Sequence, residues 1–306
     1  MAFQIPLPAR GHAAAAHPTR PEAVAFARRP GTFAVVLDCA TGGIKATLEA
    51  PQGRHFYGHG TFSQDGNWLF TTENDYAAGR GCVGDVASGY GRAGDFDSGG
   101  IGPHDIRRLP GTDMLVIANG GIDTHPDSGR TKLNIPTMRP NLAYIKDGRL
   151  AEIAELPREL HKNSIRHLAV SPAGDVAFGM QWQGERAVDV LVGRHRRGGP
   201  LKMMKASSEQ IHALNGYIGS VAYSNDGQSI AATAPRGGLF HRYDVRTAQL
   251  RDATILTDVC GVAAHGDGFT ISSGTGVLRH FANRQRDASA QTDLMWDNHL
   301  VALAST

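Results

Sequence analysis

Short apolar segments alternate with polar turns along the whole chain, and many of them repeat with a period of two residues. The segments EAVAFAR and TFAVVLD and the turns SQDGN, SPAGD and SNDGQ are typical. This alternation predicts β-strands, and Asp, Asn and Gly favour tight reversals between them. Helical patterns are confined to the short stretches PRELHKN and SSEQIHAL. The sequence therefore predicts an all-β protein.

A longer repeat is superimposed on the strand pattern. Five segments begin with a short strand and carry a turn glycine seven residues later, and their first residues are His59, His104, His167, Ser220 and Gly261. A segment from His12 fits the same frame, with Thr19 in the glycine position, and NHLVALA begins a further unit at His299. A period of about 40–50 residues with four short strands per unit is the signature of a β-propeller.

Seven unit starts, near residues 12, 59, 104, 167, 220, 261 and 299, predict a seven-bladed β-propeller with four-stranded blades. We expect one domain over residues 1–306. The seventh blade would be closed by the two chain ends, with NHLVALA as its inner strand and FQIPLPA as its outer strand. Because only two of its four strands can be found, we expect blade 7 to be incomplete and the N-terminus to be truncated.

Composition limits the possible functions. The chain is 41% hydrophobic and 20% charged, and its formal net charge is +2, so nothing favours nucleic acid or an anionic membrane as a partner. No apolar stretch is long enough to cross a bilayer, and no signal peptide is recognisable. The cysteines Cys39, Cys82 and Cys260 follow no spacing motif, which favours buried or turn thiols.

Three runs carry a family resemblance: HGTFSQDGNWLFTTENDYAAGRG, GGIGPHDIRRLPGTDMLVIANGGIDTHPDSGRTKLNIPTMRPNLAYI and ELHKNSIRHLAVSPAGDVAFGMQWQG. They resemble the bacterial domain-of-unknown-function family 1513, and single repeats are similar to YVTN and WD40-like propeller repeats. The resemblance implies a periplasmic protein, exported by a twin-arginine signal that this chain lacks. It also implies a link to iron or haem acquisition, with imelysin-like or haem-peroxidase-like periplasmic proteins as partners. It implies no established activity.

Histidines recur at one position of the repeat, at the start of the inner strand. They are His12, His59, His104, His167 and His299, with Ser220 and Gly261 at the same position in the other units. One interpretation is architectural: each histidine clamps its blade to the backbone of the next. The other is a metal site formed by converging imidazoles, which bind Fe, Cu or Zn.

Polar loops between the second and third strands should open on the same side as these histidines. Loops of this length in a compact domain are often functional. The candidate ligand-binding residues are Glu73, Asp75, Arg80, Asp105, His125, Asp127, Arg130, Lys132, Arg139 and Arg236. Asp105 stands beside His104, and it could support that ring or pack toward a neighbouring blade. Arg and Lys in these loops would suit an anionic ligand.

Three functions follow from these features. The first is a periplasmic ligand- or metal-binding propeller, and we expect this rather than an enzyme. The second is a lactonase- or hydrolase-like propeller enzyme, although histidines suit a hard ion such as Ca²⁺ poorly. The third is a protein-interaction scaffold.

Overall fold

The protein is described from a computed structural model that covers residues 3–129, 131–282, 288–297 and 299–303. Within these ranges the chain forms six antiparallel sheets of four strands each, and each sheet is a meander of consecutive strands. Each sheet is one propeller blade, so the fold is that of a six-bladed β-propeller. The described residues contain no helix long and apolar enough to cross a membrane.

The chain divides into two compact units. The first comprises the described residues of Met1–Glu155 and Val301–Thr306, and the second those of Leu156–Leu300. Blades 1 to 3 belong to the first unit. Blade 1 consists of β1 (Gly11–Ala16), β2 (Glu22–Ala27), β3 (Phe33–Asp38) and β4 (Ile44–Glu49). Blade 2 consists of β5 (Arg54–Phe62), β6 (Trp68–Asp75), β7 (Arg80–Ala87) and β8 (Arg92–Asp97). Blade 3 consists of β9 (Pro103–Arg108), β10 (Leu115–Asn119), β11 (Asn141–Lys146) and β12 (Arg149–Glu155).

Blades 4 to 6 belong to the second unit. Blade 4 consists of β13 (Asn163–Val170), β14 (Val176–Trp182), β15 (Val192–His195) and β16 (Lys202–Met203). Blade 5 consists of β17 (Ser220–Tyr223), β18 (Ser229–Ala234), β19 (Leu239–Asp244) and β20 (Leu250–Ile255). Blade 6 consists of β21 (Val259–His265), β22 (Gly268–Ser273), β23 (Val277–Phe281) and β24 (Ala288–Gln291). The helix α1 (Ser208–His212) lies in the predicted SSEQIHAL stretch and begins with a capping box between Ser207 and Gln210.

The prediction of an all-β fold with four-stranded blades is confirmed, but the count of seven blades and the incomplete seventh blade are wrong. All six sheets have four strands, and the described residues form no further sheet. FQIPLPA is not a strand, because Pro6 and Pro8 cannot donate backbone hydrogen bonds to a ladder. Leu7 packs instead on Ala27, Phe33 and Val35 of blade 1. Residues 299–303 at the other end also form no strand.

The core of each unit lies between its blades. In the first unit Phe26 of blade 1 packs with Phe56 and Leu69 of blade 2, and Val83 of blade 2 packs with Ile106 and Ile117 of blade 3. The first strand of each of these blades contacts the first strand of the next, β1 with β5 and β5 with β9. Residues at the same position of the repeat are thereby brought side by side.

Blade 2 contains an ionic network around the buried Glu73, which we call the blade 2 network: Arg54, Arg80, Arg92, Glu73, Asp75 and Asp95. The Glu73 carboxylate is fully buried, and it accepts hydrogen bonds from Arg92 at 2.6 and 3.0 Å and from Arg54 at 3.3 Å. The Arg54 guanidinium also donates to Asp95 at 2.9 Å. Burial alone would raise the pKa of Asp95, but the hydrogen bonds and charges of Arg54 and Arg92 together outweigh it and lower that pKa. Glu73 is therefore a structural centre of the blade.

We expect Glu73→Gln to lower the free energy of unfolding by about 2–3 kcal/mol. The variant leaves Arg54 and Arg92 without their buried counter-charge, although Asp95 still pairs with both. Urea unfolding monitored by circular dichroism measures the change. Glu155→Gln is the matched control, because it breaks an exposed pair with Arg139 and should cost less than about 1 kcal/mol. Equal losses in the two variants would contradict a structural role for Glu73.

Candidate functional site

Three of the predicted histidines meet in the first unit, and we call His12, His59 and His104 the histidine cluster. They lie on the first strands of blades 1, 2 and 3. The ring centroids are 4.9 Å apart for His12 and His59, 5.3 Å for His12 and His104, and 5.1 Å for His59 and His104. One nitrogen of His59 lies within 4.8 Å of a nitrogen of His12, and the same holds for His59 and His104.

A β-bulge accompanies each histidine of the cluster. In blade 1 the register between the first two strands shifts between Gly11 and Ala14, and in blade 2 it shifts between Phe56 and Gly60. In blade 3 it shifts opposite Ala118 and Asn119, where His104 is the extra residue. A bulge adds a residue to one strand and redirects its side chains. In blade 2 the Thr72 hydroxyl donates to the carbonyl of His59 at 3.1 Å and fixes the bulge.

Glycine at position 58 is required by the close approach of His12. Gly58 has a φ of 101°, and a Cβ there would lie 2.5 Å from Cδ2 of His12. A side chain would therefore collide with the ring and would also be strained at this φ. Gly58 thus lets the bulge of β5 pack directly against the neighbouring histidine.

Asp105 contacts His59 of the neighbouring blade. Its Oδ1 lies 3.1 Å from Nδ1 of His59, and both side chains are almost completely buried. Oδ1 also accepts a hydrogen bond from the backbone N–H of Ile106 at 2.8 Å, and the Arg107 guanidinium lies 3.4 Å away. Because the carboxylate accepts the Nδ1–H of His59, it selects the tautomer whose lone pair is on Nε2.

The other two predicted histidines, His167 and His299, belong to the second unit. Their ring centroids are 4.9 Å apart. His299 also lies beside Ser220, with Nδ1 3.3 Å from the hydroxyl oxygen. Ser220 occupies the histidine position of blade 5, whose first two strands pair without a bulge. His167 and His299 therefore form a second imidazole pair.

The predicted polar loop residues of blade 2 are not in a loop. Glu73 and Asp75 end β6, Arg80 begins β7, and all three belong to the blade 2 network. Asp75 accepts from Arg80 at 3.2 Å and lies 3.6 Å from Arg54. Their charges are paired with one another and with Arg54, Arg92 and Asp95 of the same blade.

The ligand-binding residues predicted in the long loop between β10 and β11 of blade 3 have different surroundings. His125 is about one-third exposed, and its Nδ1 accepts the backbone N–H of Asp127, whose own side chain is fully exposed to solvent. Arg139 pairs with Glu155, and Lys132 is exposed. Arg130 lies outside the described residues. In the second unit, the Arg236 guanidinium stacks on the ring of Tyr217 at 4.5 Å.

A cavity of about 220 Å³ lies in the first unit, beside His125. Arg28 and Arg29 line it from the loop between β2 and β3, and His55 lines it from the start of β5. Thr124 and His125 contribute from the blade 3 loop. The sequence reasoning missed both arginines and His55. The two adjacent arginines in the segment ARRPG could have indicated this cavity in the sequence, because the loop between β2 and β3 that contains them opens at the same end of the strands as the blade 3 loop.

His55 is held as a neutral imidazole next to this cavity. Its Nδ1 donates to the carbonyl of Phe56 at 2.9 Å, so its Nε2 accepts from the amide of Asn74 at 3.1 Å. The same amide donates to the carbonyl of Thr124 at 3.1 Å, which ties the blade 3 loop to blade 2. Burial lowers the pKa of His55; a hydrogen bond to Phe56 opposes this shift and the charge of Arg29 adds to it.

We expect the pH dependence of stability to differ between the wild type and His55→Gln. Unfolded His55 is protonated below about pH 6.5, whereas the folded residue stays neutral because its pKa is lower. The contribution of neutral His55 to the free energy of unfolding is therefore complete above pH 6.5, and it is lost as the pH falls from there toward the pKa of the folded residue. Urea unfolding at pH 7 and pH 5 should show a larger loss for the wild type than for the variant.

The buried histidines His17 and His241, whose pKa values burial also lowers, titrate in both proteins and cancel in this difference. His161→Gln is the control, because His161 lies outside the cavity and contacts the carbonyl of Arg158. The same loss of stability in the wild type and in His55→Gln would show that His55 does not titrate as described.

Comparison with known proteins gives one family assignment. No curated protein matches the chain. The family model described as "Protein of unknown function (DUF1513)" matches residues 5–303, which is almost the whole sequence. The resemblance carried by the HGTFSQDGNW, PHDIRRLPGT and LHKNSIRHLAVSPAGD runs is therefore confirmed, and this propeller chain belongs to the DUF1513 family.

Proposed function

We propose that this protein binds a transition-metal ion, Fe, Cu or Zn, at the histidine cluster. The observation that carries the proposal is the close grouping of the His12, His59 and His104 rings, with centroids 4.9–5.3 Å apart. Three imidazoles are the protein ligands of several metal sites that leave a position open for water or substrate.

The spacing of the rings agrees with a shared ion. With metal–nitrogen bonds of about 2.0–2.1 Å in a tetrahedral arrangement, the centroids of ligating imidazoles lie about 5 Å apart. The three observed distances fall close to this value.

The carboxylate of Asp105 is suited to such a site. Metal-bound histidines commonly donate their second N–H to a carboxylate, which orients the ring and makes it a stronger ligand. Asp105 has this relation to His59 at 3.1 Å. Arg107 pairs with the same carboxylate at 3.4 Å, so Asp105 contributes by orienting His59 and not by an excess of negative charge. Iron is the first metal to test, because the family resemblance implies iron or haem handling in the periplasm.

The first test uses metal-stripped protein and titrates it with Zn²⁺, and with Fe²⁺ under anaerobic conditions, by calorimetry. We expect the wild type to bind, and the double variant His59→Ala/His104→Ala to bind at least about 100-fold more weakly, because two of three ligands are gone. Binding should weaken in acid, because a protonated imidazole cannot ligate a metal.

His212→Ala/His265→Ala is the matched control, since it removes two exposed histidines outside the cluster and should leave the affinity unchanged. Circular dichroism of each variant verifies the fold. No binding by the wild type, or wild-type affinity in the cluster variant, would refute the proposal. In that case the histidines serve to pack the blades.

The second test concerns Asp105 as a positioning residue. Asp105→Asn removes the charge that orients His59, and we expect the metal affinity to fall about 10–100-fold. With Co²⁺ as a spectroscopic probe, the visible absorption of the bound ion should shift as well, which a purely structural role would not produce. Arg107→Gln is the control, because it keeps the carboxylate. Unchanged affinity and an unchanged spectrum in Asp105→Asn would contradict this role.

A further inference from the structure

The cavity beside His125 has the properties of a second site, separate from the histidine cluster. It is formed by three blades of the first unit: Arg28 and Arg29 from blade 1, His55 from blade 2, and Thr124 and His125 from blade 3. Its volume of about 220 Å³ is below the range of about 300–1,000 Å³ that is typical of pockets for drug-sized ligands. An occupant would therefore be small.

The charge of the cavity is positive. Two guanidinium groups line it, and none of the described residues that line it carries a carboxylate. Within the part of the chain that the structure describes, Arg29 forms no ion pair. His55 adds no charge near neutral pH, because burial lowers its pKa. Guanidinium groups match carboxylate and phosphate oxygens in a fork of hydrogen bonds.

His125 offers a further donor. Its Nδ1 accepts the backbone N–H of Asp127 at 3.2 Å, so the proton of the neutral ring is on Nε2. The ring makes an edge contact with Tyr76, with centroids 5.1 Å apart. An N–H donor and two guanidinium groups therefore surround the same small space.

The walls of the cavity are fixed before any ligand arrives. The amide of Asn74 links His55 to the carbonyl of Thr124, and the ring of Tyr76 lies between His55 and His125, with centroids 6.1 and 5.1 Å away. A preorganised site loses less conformational entropy on binding. The buried polar contacts of His55 thus have a use, because they hold the blade 3 loop over the arginines.

We propose that this cavity binds a small anion that carries a carboxylate or phosphate group, with Arg29 and Arg28 as its charged partners and His125 as a hydrogen-bond donor. This anion site is separate from the metal site proposed at the histidine cluster, and the two proposals are tested independently.

The experiment titrates the full chain with inorganic phosphate and, separately, with succinate, by calorimetry at constant ionic strength set with chloride. We expect saturable binding of at least one of the two anions. Arg29→Gln should weaken that binding at least tenfold, because it removes a charge from the cavity. Phosphate binding alone would identify a phosphate ligand, and succinate binding alone a carboxylate ligand.

Arg139→Gln is the matched control, since it makes the same change of charge in the blade 3 loop but its side chain pairs with Glu155. It should bind the anion as the wild type does. Arg29→Lys keeps the charge without the fork, and it should recover part of the affinity. Circular dichroism verifies that each variant is folded.

The double variant His59→Ala/His104→Ala separates this site from the metal site, and it should retain the anion affinity of the wild type. The proposal would be overturned if neither anion bound saturably, or if Arg29→Gln and Arg139→Gln had the same affinity. Loss of anion binding in the histidine variant would also overturn it, because the anion would then depend on the cluster.

Discussion

Burial of apolar sheet faces against neighbouring blades is the constraint on which the site depends. A single four-stranded blade cannot remove its own faces from water, so Phe26 of blade 1 must pack with Phe56 of blade 2, and Val83 of blade 2 with Ile106 of blade 3. This packing sets β1, β5 and β9 side by side. A repeat that carries histidine at one position then gathers those histidines without any contact designed for that purpose.

Packing of the blades alone does not orient the imidazole rings, and the β-bulges also affect the direction in which these side chains point. In a regular strand the side chains alternate between the two faces, so a residue is committed to one face by its register. One extra residue beside His12, two beside His59 and the extra residue His104 itself break this alternation locally. Blade 5 carries Ser220 at the histidine position and its first two strands pair regularly, whereas blade 6 has a register shift around Gly261, so the bulge is not confined to the blades with histidine.

The sequence predicts those features that repeat. The alternating segments and the turn glycines, such as Gly66 and Gly174, predict four-stranded blades, because each blade encodes them locally. The count fails at the chain ends. NHLVALA alternates like an inner strand, but alternation does not supply a partner, and the prolines of FQIPLPA remove the donors that pairing would need. One-dimensional periodicity cannot distinguish a strand from a segment of similar composition that finds no sheet.

The site was predictable only where it follows the repeat. The equivalent histidines are visible in the sequence, whereas the contact of Asp105 with His59 joins two blades and leaves no periodic trace. The burial of Glu73 is hidden for a similar reason, because its partners Arg54 and Arg92 lie on other strands, β5 and β8, each 19 residues away in sequence. Charged residues near a turn are easily mistaken for a loop when their partners are distant in sequence.

The two sites of the first unit are electrostatically distinct although one strand serves both. Imidazole groups supported by the carboxylate of Asp105 suit a metal cation, while Arg28 and Arg29 favour an anion beside His55. His55 and His59 are four residues apart on β5, which is at most about 13 Å along a strand. That distance is too long for one small ligand to bridge. Since opposite charges attract only weakly across it in a solvated protein, each site must hold its ligand by its own contacts. The bulge of β5 contributes to this separation, because it turns His59 toward the neighbouring histidines while His55 keeps its regular contacts with Asn74 at the other end of the strand.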